Sequence, residues 1–335
     1  MFRNYYKWGG FLIILLLLVL LATTLSVTIG EFKIRLFDIP GIIRNRAGIE
    51  YDILTKIRLP RIVLAFAVGG ALSVTGAILQ GIYRNPLVEP YTLGISGGAA
   101  LGVALMIVFG VYLERGAMML PAGGFAGSLL AVILVYALSF RRGSININRM
   151  LLIGVMVSFV ASASMMFLMA TTTSENIHSI VFWIMGSLDE PNSDLIRFTL
   201  VASLIGLLLS LLYTRSLNAL RLGEQKARHL GVNSNVAVRI LFIIASLLTG
   251  ICVSVAGVIG FVGLIIPHII RLLMGSDYRF LLLGSFLGGG FFLIICDILA
   301  RTIIAPNELP IGVITGLLGG TVFIIMLSRT KVSGI

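Results

Sequence analysis

Few residues in this chain are equipped for covalent or metal chemistry, and their spacing argues against it. Cys252 and Cys296 each sit inside an apolar run with no Cys-x-x-Cys and no neighbouring histidine, so both are read as small core residues. His178, His229 and His268 are far apart, and His268 has no second ligand at helical spacing, which predicts structural histidines. No nucleophile–base pair or His/Asp cluster lies in an apolar run, so an intramembrane enzyme is disfavoured. A Gly-x-x-x-x-Gly-Lys-Ser/Thr loop is also missing, because none of the five lysines follows a glycine; the chain does not bind ATP in that way. No metal and no cofactor is expected. What remains is recognition chemistry: Arg58, Arg61 and Arg301, the Asn85-Pro86-Leu87 turn, and the polar run 221–232.

These residues punctuate a 335-residue chain that is 58% hydrophobic and only 12% charged. Water-soluble domains are about 25% charged, so the chain is read as a polytopic membrane protein. Its net charge of +11 comes from Lys and Arg scattered among short loops, without a continuous basic patch interleaved with aromatics. That distribution speaks for orientation in a membrane and against nucleic acid.

Ten apolar runs of bilayer-spanning character occur at 11–29, 62–80, 93–111, 118–140, 151–169, 196–212, 240–257, 259–273, 280–299 and 311–327. The fold class is therefore all-α, with about ten transmembrane helices in one polytopic domain over 1–335. The first run is long for a signal peptide and lacks a small-x-small cleavage site, so it is expected to remain as a span. Only Gly257, Gly260 and Gly263 mark where the seventh and eighth runs divide. With both termini cytoplasmic, the inner loops hold Arg84, Arg141, Arg142, Arg149, the arginines between 215 and 239 and between 271 and 279, Arg329 and Lys331. The outer stretch 171–194 has no Lys or Arg. One outer loop breaks the rule: Lys33, Arg35, Arg44, Arg46, Lys56, Arg58 and Arg61 all fall outside. Either the topology is inverted or these residues have another task; the balance of the other loops favours the second reading.

The stretch around Arg58 recurs. A shift of 181 residues places Arg58 on Arg239, Gly69 on Gly250, Ser73-Val74 on Ser254-Val255, Gly76 on Gly257 and Pro86 on Pro267, without a gap. The chain is thus expected to hold two copies of one unit, at about 31–212 and 239–330, joined by a segment at about 215–238. Five spans fit within the offset, an odd number, so the repeat is inverted, the architecture in which two halves rock to open alternately. A secondary transporter of this kind needs ionisable residues in its spans, and Asp297 is nearly the only candidate; pairing with Arg301 near a membrane edge accounts for it. Energy then has to come from a partner, which points to the permease half of an ABC importer. A stand-alone secondary transporter is the rival.

Several motifs resemble the FecCD-type permeases, which import ferric siderophores, haem and cobalamin. They are Arg58-Leu-Pro-Arg61, Arg84-Asn-Pro-Leu-Val-Glu-Pro-Tyr-Thr-Leu-Gly94, Leu222-Gly-Glu…Ala227-Arg…Leu230-Gly-Val, Val255-Ala-Gly-Val-Ile-Gly through Pro267-His-Ile-Ile-Arg271, and Glu308-Leu-Pro-Ile-Gly. The resemblance implies a homodimer in the cytoplasmic (inner) membrane with the path at its interface, two ATPase subunits below and an extracytoplasmic binding protein above. It implies a metal chelate as cargo, ferric siderophore first, haem or cobalamin as alternatives.

The same resemblance carries residue roles. Arg58, Arg61 and Arg301 match positions that pair with acidic residues of the binding protein from an exposed outer face. Asn85 and Leu87, with Ile147 and Asn148 between the fourth and fifth spans, match the cytoplasmic gate, where Pro86 ends a helix. Gly223, Glu224, Ala227, Arg228, Leu230 and Gly231 match the segment that contacts the ATPase. That segment also reads as a short exposed helix from its residues alone: glycines bracket it, Glu224 and Arg228 stand four apart, and Leu222 and Leu230 need a partner's groove. Met156, Met165, Met166 and Met169 are expected to pack as gap-fillers. Gly97-Gly98, Gly123-Gly124 and Gly288 to Gly290 are expected to let helices approach closely.

Overall fold

The computed structural model describes residues 2–30, 32–141 and 144–329. Arg142 and Lys331, two of the inner-loop cations, lie outside the described residues. Apart from a two-residue antiparallel pairing, Phe140–Arg141 with Ser144–Ile145, the regular structure of the described residues is helical. α1 (Phe2–Thr28) leads into α2 (Ile39–Asn45) and α3 (Ile49–Asp52), and a π-helical stretch, Ile53–Arg58, runs directly into α4 (Leu59–Tyr83). Next come α5 (Ile95–Val108), α6 (Val111–Arg115), α7 (Met119–Ser139), α8 (Ile147–Thr171), α9 (Ser174–Met185) and α10 (Ser193–Leu212). Two short helices, α11 (Thr214–Leu220) and α12 (Glu224–His229), precede α13 (Ser234–Ala256), α14 (Val262–Met274), α15 (Tyr278–Thr302) and α16 (Ile311–Arg329).

Among the described residues seven helices are long and apolar enough to cross a membrane, and they coincide with seven of the ten expected runs. The other three runs coincide with shorter apolar helices, Ile95–Val108, Val262–Met274 and Ile311–Met326. At 1.5 Å per residue α5 and α14 are about 20 Å long, less than the ~30 Å of a hydrocarbon core. Each is preceded by non-helical chain, at 84–94 and 257–261, with only the 3₁₀ turn Pro90–Leu93 in the first. The division between the seventh and eighth runs therefore falls after Ala256, and the eighth helix starts three residues later than the apolar run. The basic outer loop expected between the first two runs carries α2, α3 and the π-helical stretch, and the stretch 171–194 carries α9.

α4 is the centre of the molecule. It is apolar on all sides and buried along nearly its whole length, packed against α10, α13, α14 and α15. Small residues set the distances: a Cβ on Gly69 or Gly289 would overlap the other's carbonyl oxygen, fixing the α4–α15 crossing, and Gly98 and Gly127 do the same for α5 on α7, where a Cβ on Gly102 would also overlap the Gly123 carbonyl. The expected packing role of the glycine pairs holds at Gly98, Gly123 and Gly289. Cys252 and Cys296 are buried, as read. The methionines of α8 divide: Met165 and Met169 pack against a small cluster around Val103 and Ile180, whereas Met156 and Met166 are exposed.

Candidate functional site

Three groups of residues stand out once the helices are in place. The first is at the end of the bundle where α1, α4 and α15 meet. Arg61 Nε donates to Asp297 Oδ1 at 2.6 Å, and its Nη1 lies 2.7 Å from Glu308 Oε2. Arg301 Nε donates to the other Asp297 oxygen at 3.0 Å, and its Nη2 to Ser26 Oγ at 2.8 Å. Arg58 donates to the carbonyl oxygens of Val27 and Phe32. The expected exposure of these arginines is corrected here: Arg58 is 4% and Arg61 6% exposed, and Asp297 only 1%. Burying a guanidinium is tolerable only with full hydrogen bonding, and the chain supplies it from its own carboxylates and carbonyls. The pairing of Asp297 with Arg301 was expected; its bridging of both arginines was not.

The second group lies where the two non-helical stretches cross inside the bundle. Glu89 Oε1 accepts the Phe261 N–H at 2.5 Å, and Tyr91 Oη accepts the Ile259 N–H at 3.1 Å. Beside them Gln80 Nε2 donates to the Gly263 and Leu264 carbonyls, both at 3.2 Å, while its Oε1 accepts from Arg271 at 3.1 Å. Gly76 has no room for a Cβ, which would overlap the Gly263 carbonyl. Phe261 adopts φ +69°, a left-handed conformation that costs a bulky residue about 1–3 kcal/mol, and it packs over Gly319 of α16. A carboxylate at the start of α14 also meets the positive end of that helix. Sequence reading overlooked Glu89 and Phe261; the Glu89 carboxylate beside an apolar run was the available signal.

The third group is the segment that links the halves. Gly223 at φ +106° starts α12 and Gly231 at φ +79° follows it, so the bracketing glycines occupy conformations that side chains resist. Arg228 Nη2 donates to Glu224 Oε1 at 2.6 Å, the pair expected one turn apart. Leu222 and Leu230 are exposed, Leu230 at 63%. Ala227 is 0% exposed, which corrects its reading as a contact residue: it is buried within the main apolar core. α11 is tied to the start of α15, where Asn218 bonds Asp277 and the Tyr278 N–H, and Arg221 donates to the Ser276 carbonyl at 2.7 Å.

The Asn85 turn closes this end. Arg84 caps α4 at φ +51°, and Asn85 Oδ1 accepts the Leu87 N–H at 2.9 Å, leaving Leu87 exposed. The Arg84 guanidinium lies against Gly223, so the turn and the linking segment are neighbours. Ile147 and Asn148 open α8, whose N-cap is Asn146. The turn reaches α8 through Leu93, which packs on Gly154, about two turns from Ile147.

The FecCD transport family model matches residues 16–329. The chain belongs to that family. Among FecCD relatives it is 40% identical to the hemin transport system permease protein HmuU of Yersinia pestis over 324 residues, 96% of this chain and 95% of that one. It is 40% identical to the cobalamin import system permease protein BtuC of Halobacterium salinarum over 280 residues, covering 84% and 74%. A solved structure described as an inward-facing, metal-chelate type ABC transporter superposes with a TM-score of 0.84 at 30% identity, covering 96% of this chain and 99% of the other. The FecCD motifs quoted from the sequence fall on all three groups: Arg61 and Glu308 on the first, Glu89 and Phe261 on the second, Glu224 to Leu230 on the third.

Proposed function

We propose that this chain is the membrane permease subunit of a binding-protein-dependent ABC importer that moves a metal chelate across the cytoplasmic membrane by alternating access. The observation that carries the reading is the neighbourhood of Arg84 and Gly223: the segment suited to an ATPase groove touches the turn that ends the central helix. A displacement of α12 is transmitted to Asn85 and Leu87 through that contact and, through Leu93, to α8. Asn85, Leu87, Ile147 and Asn148 are assigned to the inner gate, and Glu224, Arg228, Leu230 and the two glycines to the coupling surface. The cargo class follows from the relatives. Haem and cobalamin fit equally well, and a ferric siderophore belongs to the same class of bulky chelate.

The second copy is assigned to the faces that this chain leaves open. α8 and α16 carry exposed apolar side chains along their length, including Phe159, Phe167, Leu317 and Ile324. The inverted repeat is supported by the paired pattern of a long helix, a non-helical stretch and a half-length helix, seen in α4–α5 and again in α13–α14. The ungapped 181-residue register follows this only up to Val74 and Val255; beyond it Gly257 ends α13 while Gly76 lies mid-helix, and Pro86 is in a turn while Pro267 is inside α14. Docking of the binding protein is assigned to the arginine cluster in a modified form. Arg58, Arg61 and Arg301 hold the receiving surface in shape, and Glu308, the half-exposed member, is the part a partner reaches.

The test is transport by the assembled complex. Vesicles holding the chain with its ATPase and binding protein should take up the chelate that co-purifies with the binding protein, and only with ATP. Uptake by the lone chain without ATP would establish the secondary-transporter reading instead.

A further inference from the structure

The basic stretch that violates the positive-inside rule is left without a task by the transport reading, because its exposed cations are not those of the buried cluster. Between α1 and the π-helical run, Lys33, Arg35, Arg44, Arg46 and Lys56 are exposed. Lys56 is paired with Asp52 at 2.8 Å, while no ion pair occurs at the other four among the described residues. The carboxylates of residues 32–57 are Asp38, Glu50 and Asp52, so cations outnumber them five to three.

Interleaved with these charges are large apolar side chains that the fold does not cover: Phe37 is 96% and Ile49 70% exposed, with Phe32, Leu36 and Ile43 also open. This is not a poorly packed loop. Ile34, Ile42 and Leu54 from the same stretch are buried in the main core, so the segment is seated with one set of apolar residues inward and another outward. The outward set continues the uncovered face of α1, where Leu17, Leu20, Leu21, Leu25 and Ile29 are exposed in sequence order before Phe32. That face belongs to a candidate span, so the surface that covers it is the bilayer. A segment that begins where the span ends, with apolar residues and cations alternating, fits the headgroup boundary of the same bilayer.

We propose that residues 32–57 form an interfacial foot that inserts Phe32, Phe37 and Ile49 at the acyl boundary and binds anionic phospholipid headgroups through Lys33, Arg35, Arg44 and Arg46. These charges then anchor the segment to lipid on the side that the positive-inside bias leaves poor in Lys and Arg. An acidic soluble partner is the competing occupant.

The experiment uses the full chain with a single added cysteine. Because Cys252 and Cys296 are buried, Phe37→Cys can be labelled selectively with an environment-sensitive fluorophore, and Leu17→Cys on α1 serves as the lipid-facing control. Both are reconstituted in phosphatidylcholine vesicles with or without phosphatidylglycerol, with bromine on the acyl chains of one lipid at a time. The expected result is quenching at position 37 as well as 17, stronger from brominated phosphatidylglycerol than from brominated phosphatidylcholine. Combining K33Q, R35Q, R44Q and R46Q should abolish that preference while leaving the control unchanged. Quenching at 17 but not at 37 overturns the proposal, as does equal quenching by both lipids that the fourfold variant does not alter. A probe shielded from aqueous quencher only after an acidic binding protein is added would assign the surface to that protein.

Discussion

At the scale of single residues the decisive group is Asp297. Among the described residues it is the carboxylate that Arg61 and Arg301 share, so its loss leaves the largely buried Arg301 guanidinium without an acidic partner and Arg61 with Glu308 alone. Breaking a buried pair by removing one partner costs about 3–5 kcal/mol, and Asp297→Asn is expected to lower the thermal midpoint in detergent accordingly. Combined with Arg61→Leu the loss should be smaller than the sum of the two, because the second change removes one of the stranded charges. Additive losses would show that the cluster does not act as a unit. Leu87 makes the contrasting case. Its own side chain is half exposed and belongs to no core cluster, so Leu87→Ala should leave stability within about 0.5 kcal/mol while raising cargo efflux or uncoupling ATP hydrolysis from uptake. Tight coupling and sealed vesicles would remove it from the gate.

Elements come next. The crossing of α4 with the start of α14 depends on two backbones in contact, and Gly76→Ala drives a methyl group into the Gly263 carbonyl. Overpacking of that kind costs about 1–3 kcal/mol, read as a loss of thermal stability. A neutral result would mean that α14 can shift without cost. The linking element calls for a different readout. Leu222 and Leu230 are exposed, and burying a leucine against a partner is worth ~1.5–3 kcal/mol. Substituting either by Glu should therefore weaken ATPase association by about tenfold or more and leave the membrane-embedded part folded. Ala227 is unsuited to this test, because a charge at a fully buried position would damage the fold itself. Full retention of the ATPase by the Leu222→Glu, Leu230→Glu double variant would move the coupling surface elsewhere.

For the whole molecule the question is what covers α8 and α16. A single chain leaves both apolar faces open, and a transport path lined by them would need a second copy to close it. Cysteines introduced one at a time at Met156, Phe159, Phe167, Leu317 and Ile324 should give a disulfide-linked dimer from at least one position, since the two native cysteines are buried. Light scattering that shows a monomer in mild detergent, with no cross-link in membranes at any of the five, would exclude the homodimer.

Much of this architecture was legible in the sequence, for a physical reason. A bilayer sets the length of an apolar run, and run length is a local property; each of the ten runs coincides with a helix. The glycines bracketing α12 and the Glu224–Arg228 pair were legible because helix ends and one-turn contacts are local too. Which way a side chain faces was not. In a helix that is apolar on every side there is no polar stripe to mark the inward face, since lipid and protein core are equally apolar solvents. Tertiary structure alone turned Arg58 and Arg61 inward and buried Ala227. It also brought Arg61 to Asp297 across 236 residues and Glu89 to Phe261 across 172. Those partners meet only because glycines let α4 approach α15 and α14 closely, and that closeness is a property of the packed bundle.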